Sequence, residues 1–235
     1  MHKLRLKVKQ RFATNTTKLS SGSLVQQLNE LGLHVEPHEV FTSLSACRDM
    51  VRTRQLRPLL FMEDAALEEF NGIDTENPNA VVVGLAPSKF NYEYMNKAFR
   101  LLMQKPGSVP LIAVHKAKYF ADKDEALSLG PGGFVQALEF ATGEKASVVG
   151  KPSKNFLELA LRQIGMENTP EDVAIIGDDI NNDLGGGALE CGLHRYLVRT
   201  GKYRHGDEDK IDARKLKVVD SVVDAIEDIL SQRPE

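Results

Sequence analysis

Apolar runs alternate with stretches of helical spacing along most of the chain, which is typical of α/β proteins built on a mostly parallel sheet. Short continuous apolar runs predict buried strands at 59–62, 80–83, 111–114 and 173–176. The run at 173–176 is expected to be buried on both faces. The stretches between the strands predict helices, and the last helix is expected to carry Val219, Val222, Val223, Ile226 and Leu230. Two βαβ-like units in a row are therefore expected between residues 57 and 114.

Composition and charge narrow the class of protein. The 235 residues are 42% hydrophobic and 27% charged, and 30 basic against 33 acidic side chains leave a net charge of -3. That near-balance argues against a dedicated nucleic-acid binder. No apolar run approaches the roughly 18 residues that cross a bilayer, and no apolar segment follows the basic start as in a secretory signal. Two cysteines suggest no disulfide framework. We expect a cytoplasmic protein.

The first polar cluster is Thr14-Asn15-Thr16-Thr17, directly after Phe12-Ala13. It lies where a predicted strand ends, and open parallel sheets bind ligands at the carboxyl ends of their strands. Hydroxyls and an amide there can donate hydrogen bonds to phosphate oxygens. A turn rich in threonine is also a common helix N-cap, so both interpretations stay open.

The second cluster is Gly150-Lys151-Pro152, at the end of another short predicted strand. Glycine permits close approach of a ligand to the backbone, and lysine supplies a positive charge for phosphate. An exposed lysine at a helix start fits the same residues.

The third cluster, Gly177 to Asp183, is the most informative. Asp178 and Asp183 lie five residues apart after a predicted buried strand, with Asp179 between them. Crowded carboxylates repel unless a cation or a basic partner neutralises them. Oxygen ligands suit Mg²⁺, although the same aspartates could instead favour a helix N-terminus.

Taken in order, these clusters resemble the motifs of the haloacid dehalogenase superfamily, in the subfamily with a large α/β cap. The resemblance runs from about Phe12 onward, and several segments in the right order are more specific than any one of them. The segments are Phe12-Ala13-Thr14-Asn15-Thr16-Thr17-Lys18, Val40-Phe41-Thr42-Ser43, Val83-Gly84-Leu85-Ala86-Pro87, Leu129-Gly130-Pro131-Gly132, Val149-Gly150-Lys151-Pro152, Gly177-Asp178-Asp179 and Thr200-Gly201-Lys202-Tyr203.

The resemblance implies a fold and its domains. The fold is α/β, with a doubly wound, mostly parallel sheet in the core and an inserted α/β cap domain. Residues 1–45 and 146–235 would form the core domain, and residues 46–145 the cap domain. Residues after the strand at 111–114, such as His115, Lys116 and Tyr119, are either substrate contacts or ordinary surface residues.

The resemblance also implies a site. Thr14, Asn15 and Thr16 would bind the phosphoryl group of the substrate. Lys151 would bind the substrate and act as a catalytic residue by offsetting negative charge. Asp178 would ligate Mg²⁺ directly. Asp183 would support the metal site from outside the direct ligands or through a bridging water.

The sequence departs from the family pattern at its start. The family's nucleophile is an aspartate on the first strand, upstream of the Thr-Asn segment, and the thirteen residues before Thr14 contain no aspartate. That strand and its motif are therefore expected to be missing here, through a shortened N-terminus or a real loss.

These interpretations lead to a phosphatase that hydrolyses a small phosphorylated substrate through an aspartyl-phosphate. We expect that activity in a full-length parent, and we expect the chain as given to be inactive. The alternative is a non-catalytic protein that binds phosphate or a partner. A dinucleotide-binding oxidoreductase is a poor fit, because no Gly-x-Gly-x-x-Gly follows a first strand. A small phosphorylated molecule is the expected partner, with no nucleic acid and no membrane, and a homodimer through the cap is a further expectation.

Overall fold

The computed structural model describes residues 8–121 and 126–232. The chain divides into two compact units. One spans Phe12–Gly150, and the other combines the described residues of 1–11 with those of 151–235. Each unit has its own strands and its own apolar cluster.

The unit spanning Phe12–Gly150 contains eight strands and five helices in its described part. The strands are β1 (Phe12–Thr14), β2 (Val40–Thr42), β3 (Pro58–Phe61), β4 (Ala80–Val83), β5 (Leu111–Ala113), β6 (Tyr119–Ala121), β7 (Leu127–Leu129) and β8 (Ser147–Val148). The helices are α1 (Ser21–Glu30), α2 (Ser43–Thr53), α3 (Asp64–Leu67), α4 (Tyr92–Gln104) and α5 (Gly132–Thr142). Short 3₁₀ turns cover Pro37–Glu39, Glu68–Phe70 and Pro87–Lys89.

A parallel sheet in the order β3-β4-β5-β8 forms the centre of this unit. All four residues of β4 are buried, as expected for a parallel strand with neighbours on both sides. Helices α4 and α5 pack on the sheet through a cluster that includes Phe61, Leu102 and Val135. The two predicted βαβ units are confirmed, because β3, β4 and β5 pair in parallel in chain order.

Two strand pairs complete the same unit. Strands β1 and β2 pair in parallel, with Thr14 opposite Thr42. Strands β6 and β7 form an antiparallel hairpin that the sequence pattern did not predict. Leu127 and Leu129 of β7 are 70% and 63% exposed. Strand β7 therefore lacks the buried apolar face from which strands are usually predicted in a sequence.

The second unit carries a parallel sheet in the order β11-β10-β9. Its strands are β9 (Ala174–Gly177), β10 (His194–Val198) and β11 (Leu216–Val219). Its helices are α6 (Lys154–Ile164), α7 (Gly187–Glu190) and α8 (Val222–Ser231), with 3₁₀ turns at Pro170–Asp172 and Asp207–Lys210. Ile180, Leu184 and Leu197 form the centre of its apolar cluster.

Two sequence predictions in this unit are wrong. Strand β9 is not buried on both faces, since each of its residues is partly exposed. Among the described strands β9 pairs with β10 alone, which leaves it at an edge. Val219 belongs to β11 and not to the last helix, because Ser221 caps that helix by accepting hydrogen bonds from the N–H groups of Val223 and Asp224.

The predicted α/β class with a mostly parallel sheet is confirmed. Along the sequence, the boundaries between the two compact units lie at residues 11/12 and 150/151. These are not the boundaries of the predicted core and cap domains. Strand β8 lies in the predicted core segment yet pairs with β5 of the predicted cap segment. The division into 1–45 with 146–235 and 46–145 stays a prediction.

Candidate active site

The loop after β1 holds the first polar cluster. The Thr16 N–H donates to Thr14 Oγ1 at 3.2 Å, which turns the chain sharply at the strand end. Thr17, the last residue of the cluster, is buried, with only 2% of its surface exposed. The helix that follows is capped by Ser20, whose side chain accepts from the Ser23 N–H. The N-cap interpretation of Thr14–Thr17 is therefore wrong, and the loop needs another explanation.

Gly150 contacts its own chain at the end of β8. Its N–H donates to the Val114 carbonyl at 2.8 Å. A Cβ at this position would lie 2.4 Å from Asn15 Oδ1 and 2.8 Å from the Ser43 Cβ. Glycine is therefore needed here for packing against Asn15 and Ser43. From the sequence alone, this glycine was expected to permit close approach of a ligand.

Lys151 forms an ion pair with Asp183 in the second unit. The Lys151 Nζ lies 2.7 Å from Asp183 Oδ1, and both side chains are 13% exposed. A charged hydrogen bond this short and this sheltered is among the stronger polar contacts in a protein. Gly177 makes room for it, because a Cβ there would lie 2.6 Å from Asp183 Oδ2. The exposed-lysine interpretation of Lys151 is therefore wrong.

Asp178 follows β9 directly and is held by the loop after β10. The Lys202 N–H donates to Asp178 Oδ2 at 2.9 Å. The preceding residue, Gly201, has a φ of +58°, and a Cβ there would lie 2.0 Å from the same oxygen. Two features thus orient this carboxylate: a backbone donor and a glycine that lets the loop come close. The Thr200–Tyr203 segment had been noted in the sequence, but without a role.

Asp179 stabilises the turn after β9. Its carboxylate accepts the N–H groups of Asn181 and Asn182 at 3.0 and 2.9 Å, and it pairs with Lys202 Nζ at 3.2 Å. Burial alone would raise the pKa of Asp179, but the hydrogen bonds from Asn182 and Lys202 outweigh burial and lower this pKa. The N–H groups of Asn181 and Asn182 and the Lys202 ammonium thus offset part of the charge repulsion among the aspartates.

His115 and Lys116 also have defined roles within the Phe12–Gly150 unit. His115 Nε2 lies 3.2 Å from Thr17 Oγ1, and His115 is only 8% exposed. Lys116 Nζ lies 2.8 Å from Glu139 Oε2, whose side chain is 3% exposed. Tyr119 is 60% exposed. His115 and Lys116 are thus more than ordinary surface residues, while the expected substrate contacts of the three residues stay predictions.

The sequence matches two family models. A haloacid dehalogenase-like hydrolase model matches residues 2–76, and a HAD-hydrolase-like model matches residues 148–225. The chain is 50% identical over 220 residues to the haloacid dehalogenase-like hydrolase domain-containing protein 2 of Bos taurus, which covers 94% of this chain and 82% of that protein. This chain belongs to the haloacid dehalogenase-like hydrolase family. Within the family it is also 40% identical over 231 residues to the human phospholysine phosphohistidine inorganic pyrophosphate phosphatase, covering 98% of this chain and 83% of that protein.

A solved structure of the same family has a similar fold. The p-nitrophenyl phosphatase from Archaeoglobus fulgidus superimposes with a TM-score of 0.82 at 28% sequence identity, covering 95% of this chain and 87% of that one. Within residues 8–121 and 126–232, no group of three or more His, Cys, Asp or Glu side chains is arranged to hold a metal ion. No helix in these ranges is long and apolar enough to span a bilayer.

Proposed function

We propose that this chain carries the phosphate-binding and Mg²⁺-binding groups of a phosphatase of the haloacid dehalogenase type that acts on a small phosphorylated molecule. The observation that carries the proposal is the sheltered Lys151–Asp183 pair, placed one short turn from Asp178 at the carboxyl end of β9. Relatives whose names describe phosphatases support it, both in sequence and in fold. The non-catalytic alternative has no comparable support.

Each site residue has a proposed role. Thr14, Asn15 and Thr16 would hydrogen-bond the phosphoryl oxygens from the loop after β1. Lys151 would offset negative charge on the phosphoryl group, a role that a lysine fulfils as a compact point charge. Its pairing with Asp183 keeps the ammonium in place before substrate arrives. That Thr14, Lys151 and Asp178 surround one small anion stays a prediction.

The aspartates fit Mg²⁺ in chemistry and in number. Magnesium takes one or two protein carboxylates and completes its shell with water and phosphate oxygens. Asp178 supplies a carboxylate oriented by the Lys202 N–H, and Asp183 is shared with Lys151, which favours a supporting role. When bound there, Mg²⁺ would neutralise charge on the phosphoryl oxygens.

The proposed reaction needs an aspartate to attack phosphorus and form an aspartyl-phosphate, which water then hydrolyses. None of the thirteen residues before Thr14 is an aspartate. We therefore propose that the 235-residue chain does not turn over substrate, although it keeps the groups that bind phosphate. The cytoplasmic location and a homodimer through the cap are part of the same proposal.

Two assays on the 235-residue chain test this function. The first is titration calorimetry with inorganic phosphate, with and without MgCl₂, on the natural chain and on Lys151→Ala. Lys210→Ala is the matched control, because it removes an exposed lysine of the same unit that also pairs with an aspartate, Asp207. We expect Mg²⁺-assisted binding that Lys151→Ala weakens at least about tenfold and that the control leaves unchanged.

The second assay is hydrolysis of p-nitrophenyl phosphate. We expect none from the 235-residue chain. Lys151-dependent turnover would disprove the proposed inactivity and would point to a different nucleophile. A natural chain that neither binds phosphate nor hydrolyses the ester would refute the proposed function itself.

A further inference from the structure

The loop that follows β1 is joined to the segment that follows β5 through a buried side-chain contact. His115, two residues after β5, places Nε2 3.2 Å from Thr17 Oγ1. The two residues are 98 positions apart in the sequence and only 8% and 2% exposed. A polar contact buried this deeply is costly to break, because each group would then have one hydrogen bond fewer at a place that water does not reach.

The hydrogen-bond pattern decides which ring nitrogen carries the proton. The Ala117 N–H donates to His115 Nδ1 at 3.3 Å, so Nδ1 is an acceptor. In a neutral imidazole the proton then lies on Nε2. His115 therefore donates through Nε2–H to Thr17 Oγ1.

Thr17 receives a second donor on the same oxygen. The Leu85 N–H donates to Thr17 Oγ1 at 3.2 Å. A hydroxyl offers two acceptor lone pairs and one donor, so these contacts use both lone pairs. They fix the side-chain rotamer of Thr17 and direct its own O–H away from His115 and Leu85.

The next residue is tethered to the same segment. Lys18 Nζ lies 4.2 Å from the centroid of the Phe120 ring, a cation–π contact. Thr17 and Lys18 thus contact two positions, His115 and Phe120, of one short stretch of chain. The loop is held at its end by contacts that involve none of Thr14, Asn15 or Thr16.

We propose that His115 is a positioning residue for phosphate binding: it acts through Thr17 to hold residues 14–16 in the geometry that receives a phosphoryl group. This role does not require His115 to touch substrate. This inference rests on the proposed function and goes beyond it, because it assigns a role to a residue outside the phosphate-binding set. Pre-ordering matters because a loop that must be ordered on binding weakens the binding by that entropy.

The first test measures the loop itself by hydrogen exchange on the full 235-residue chain. His115→Ala should speed amide exchange in the peptide that covers residues 14–18, while peptides from β9 to β11 keep their rates. His115→Gln should restore protection in part, because its amide offers an N–H donor. The control is His38→Ala, which removes an exposed histidine of the same unit. Unchanged exchange at 14–18 in a folded His115→Ala chain would overturn the inference, whatever the phosphate affinity.

The second test is titration with inorganic phosphate in MgCl₂. His115→Ala should raise the Kd about tenfold, the effect expected when one buried hydrogen bond is lost. His115→Gln should recover part of that loss. Thr17→Val should raise the Kd at least as much, because it removes the acceptor of both His115 and the Leu85 N–H. The double variant should then be no worse than Thr17→Val alone, because that substitution already removes the His115 contact.

The outcomes separate the two ideas. Additive effects in the double variant would overturn the proposed action through Thr17. A natural chain that does not bind phosphate would refute the proposed function, and with it the role of His115 in binding. If His115→Ala does not fold, His115→Gln alone decides: the same affinity and exchange as Thr17→Val would overturn the inference, and values nearer the natural chain would support it.

Discussion

Substitution of Gly201 by alanine tests how the loop after β10 holds Asp178. Gly201 has a φ of +58°, and an added Cβ would lie 2.0 Å from Asp178 Oδ2. Contact at that distance cannot exist, so the loop or the carboxylate must move. The Lys202 N–H bond to the same oxygen, 2.9 Å long, should then be lost or lengthened.

Gly192 provides a matched control in the same unit. Its φ is +74°, but a Cβ there meets nothing within 4 Å. Gly192→Ala should therefore cost only the backbone strain of a left-handed alanine, about 1–2 kcal/mol. Gly201→Ala bears the same strain and adds about 1 kcal/mol for a partly exposed hydrogen bond and about 1 kcal/mol for the displacement.

The measurement is urea-induced unfolding of both variants and the natural chain, followed by circular dichroism with a common m-value. Gly201→Ala should be about 2 kcal/mol less stable than Gly192→Ala, equivalent to roughly 4–8 °C in Tm for a chain of this size. Gly201→Ala should also bind Mg²⁺ more weakly in calorimetry. Equal stability of the two variants, within about 0.5 kcal/mol, would refute the close approach of this loop to Asp178.

Three further outcomes are expected. Lys151→Met should lower the free energy of unfolding by about 3 kcal/mol, because it removes the cationic partner of the sheltered Asp183 carboxylate; a urea titration that shows less than about 1 kcal/mol would contradict this. The pKa of Glu139 lies below its ordinary 4.5, since burial, which raises it, is outweighed by hydrogen bonds from its partners. Its contribution to stability is therefore present above pH 4.5 and is lost as the pH falls through the lowered pKa, so the stability gap to Glu139→Gln should shrink in acid unfolding curves. Burial raises the pKa of the Cys47 thiol to about 12, so a thiol reagent at pH 8 should label the partly exposed Cys191 first and reach Cys47 only after unfolding.

Much of the local structure could be predicted from the sequence. The run Ala80–Val83 forms β4 with the predicted bounds, and the α/β class follows from such runs alternating with helical stretches. Local predictions succeed here because a strand buried between two neighbours needs apolar residues at every position. They fail at the hairpin of β6 and β7, whose leucines are exposed, and at Val219, where one apolar pattern continues from β11 into α8.

The site could be predicted only in part. The residue types that bind phosphate and Mg²⁺ were recognisable in the sequence at Thr14, Lys151 and Asp178. Their actual partners were not: Lys151 pairs with Asp183, and Asp178 is held by the loop at Gly201. Neither contact leaves a pattern along the chain.

What the sequence by itself determined is therefore the class of fold, the order of its strands along the chain and the kinds of side chain at their ends. The tertiary structure decided which of those side chains meet. Thr17 and His115 are 98 residues apart, and they touch because the carboxyl ends of β1 and β5 lie in one unit. Hydrophobic periodicity reports which face of an element is buried, but not which element lies opposite, since that depends on the order and register of the assembled strands.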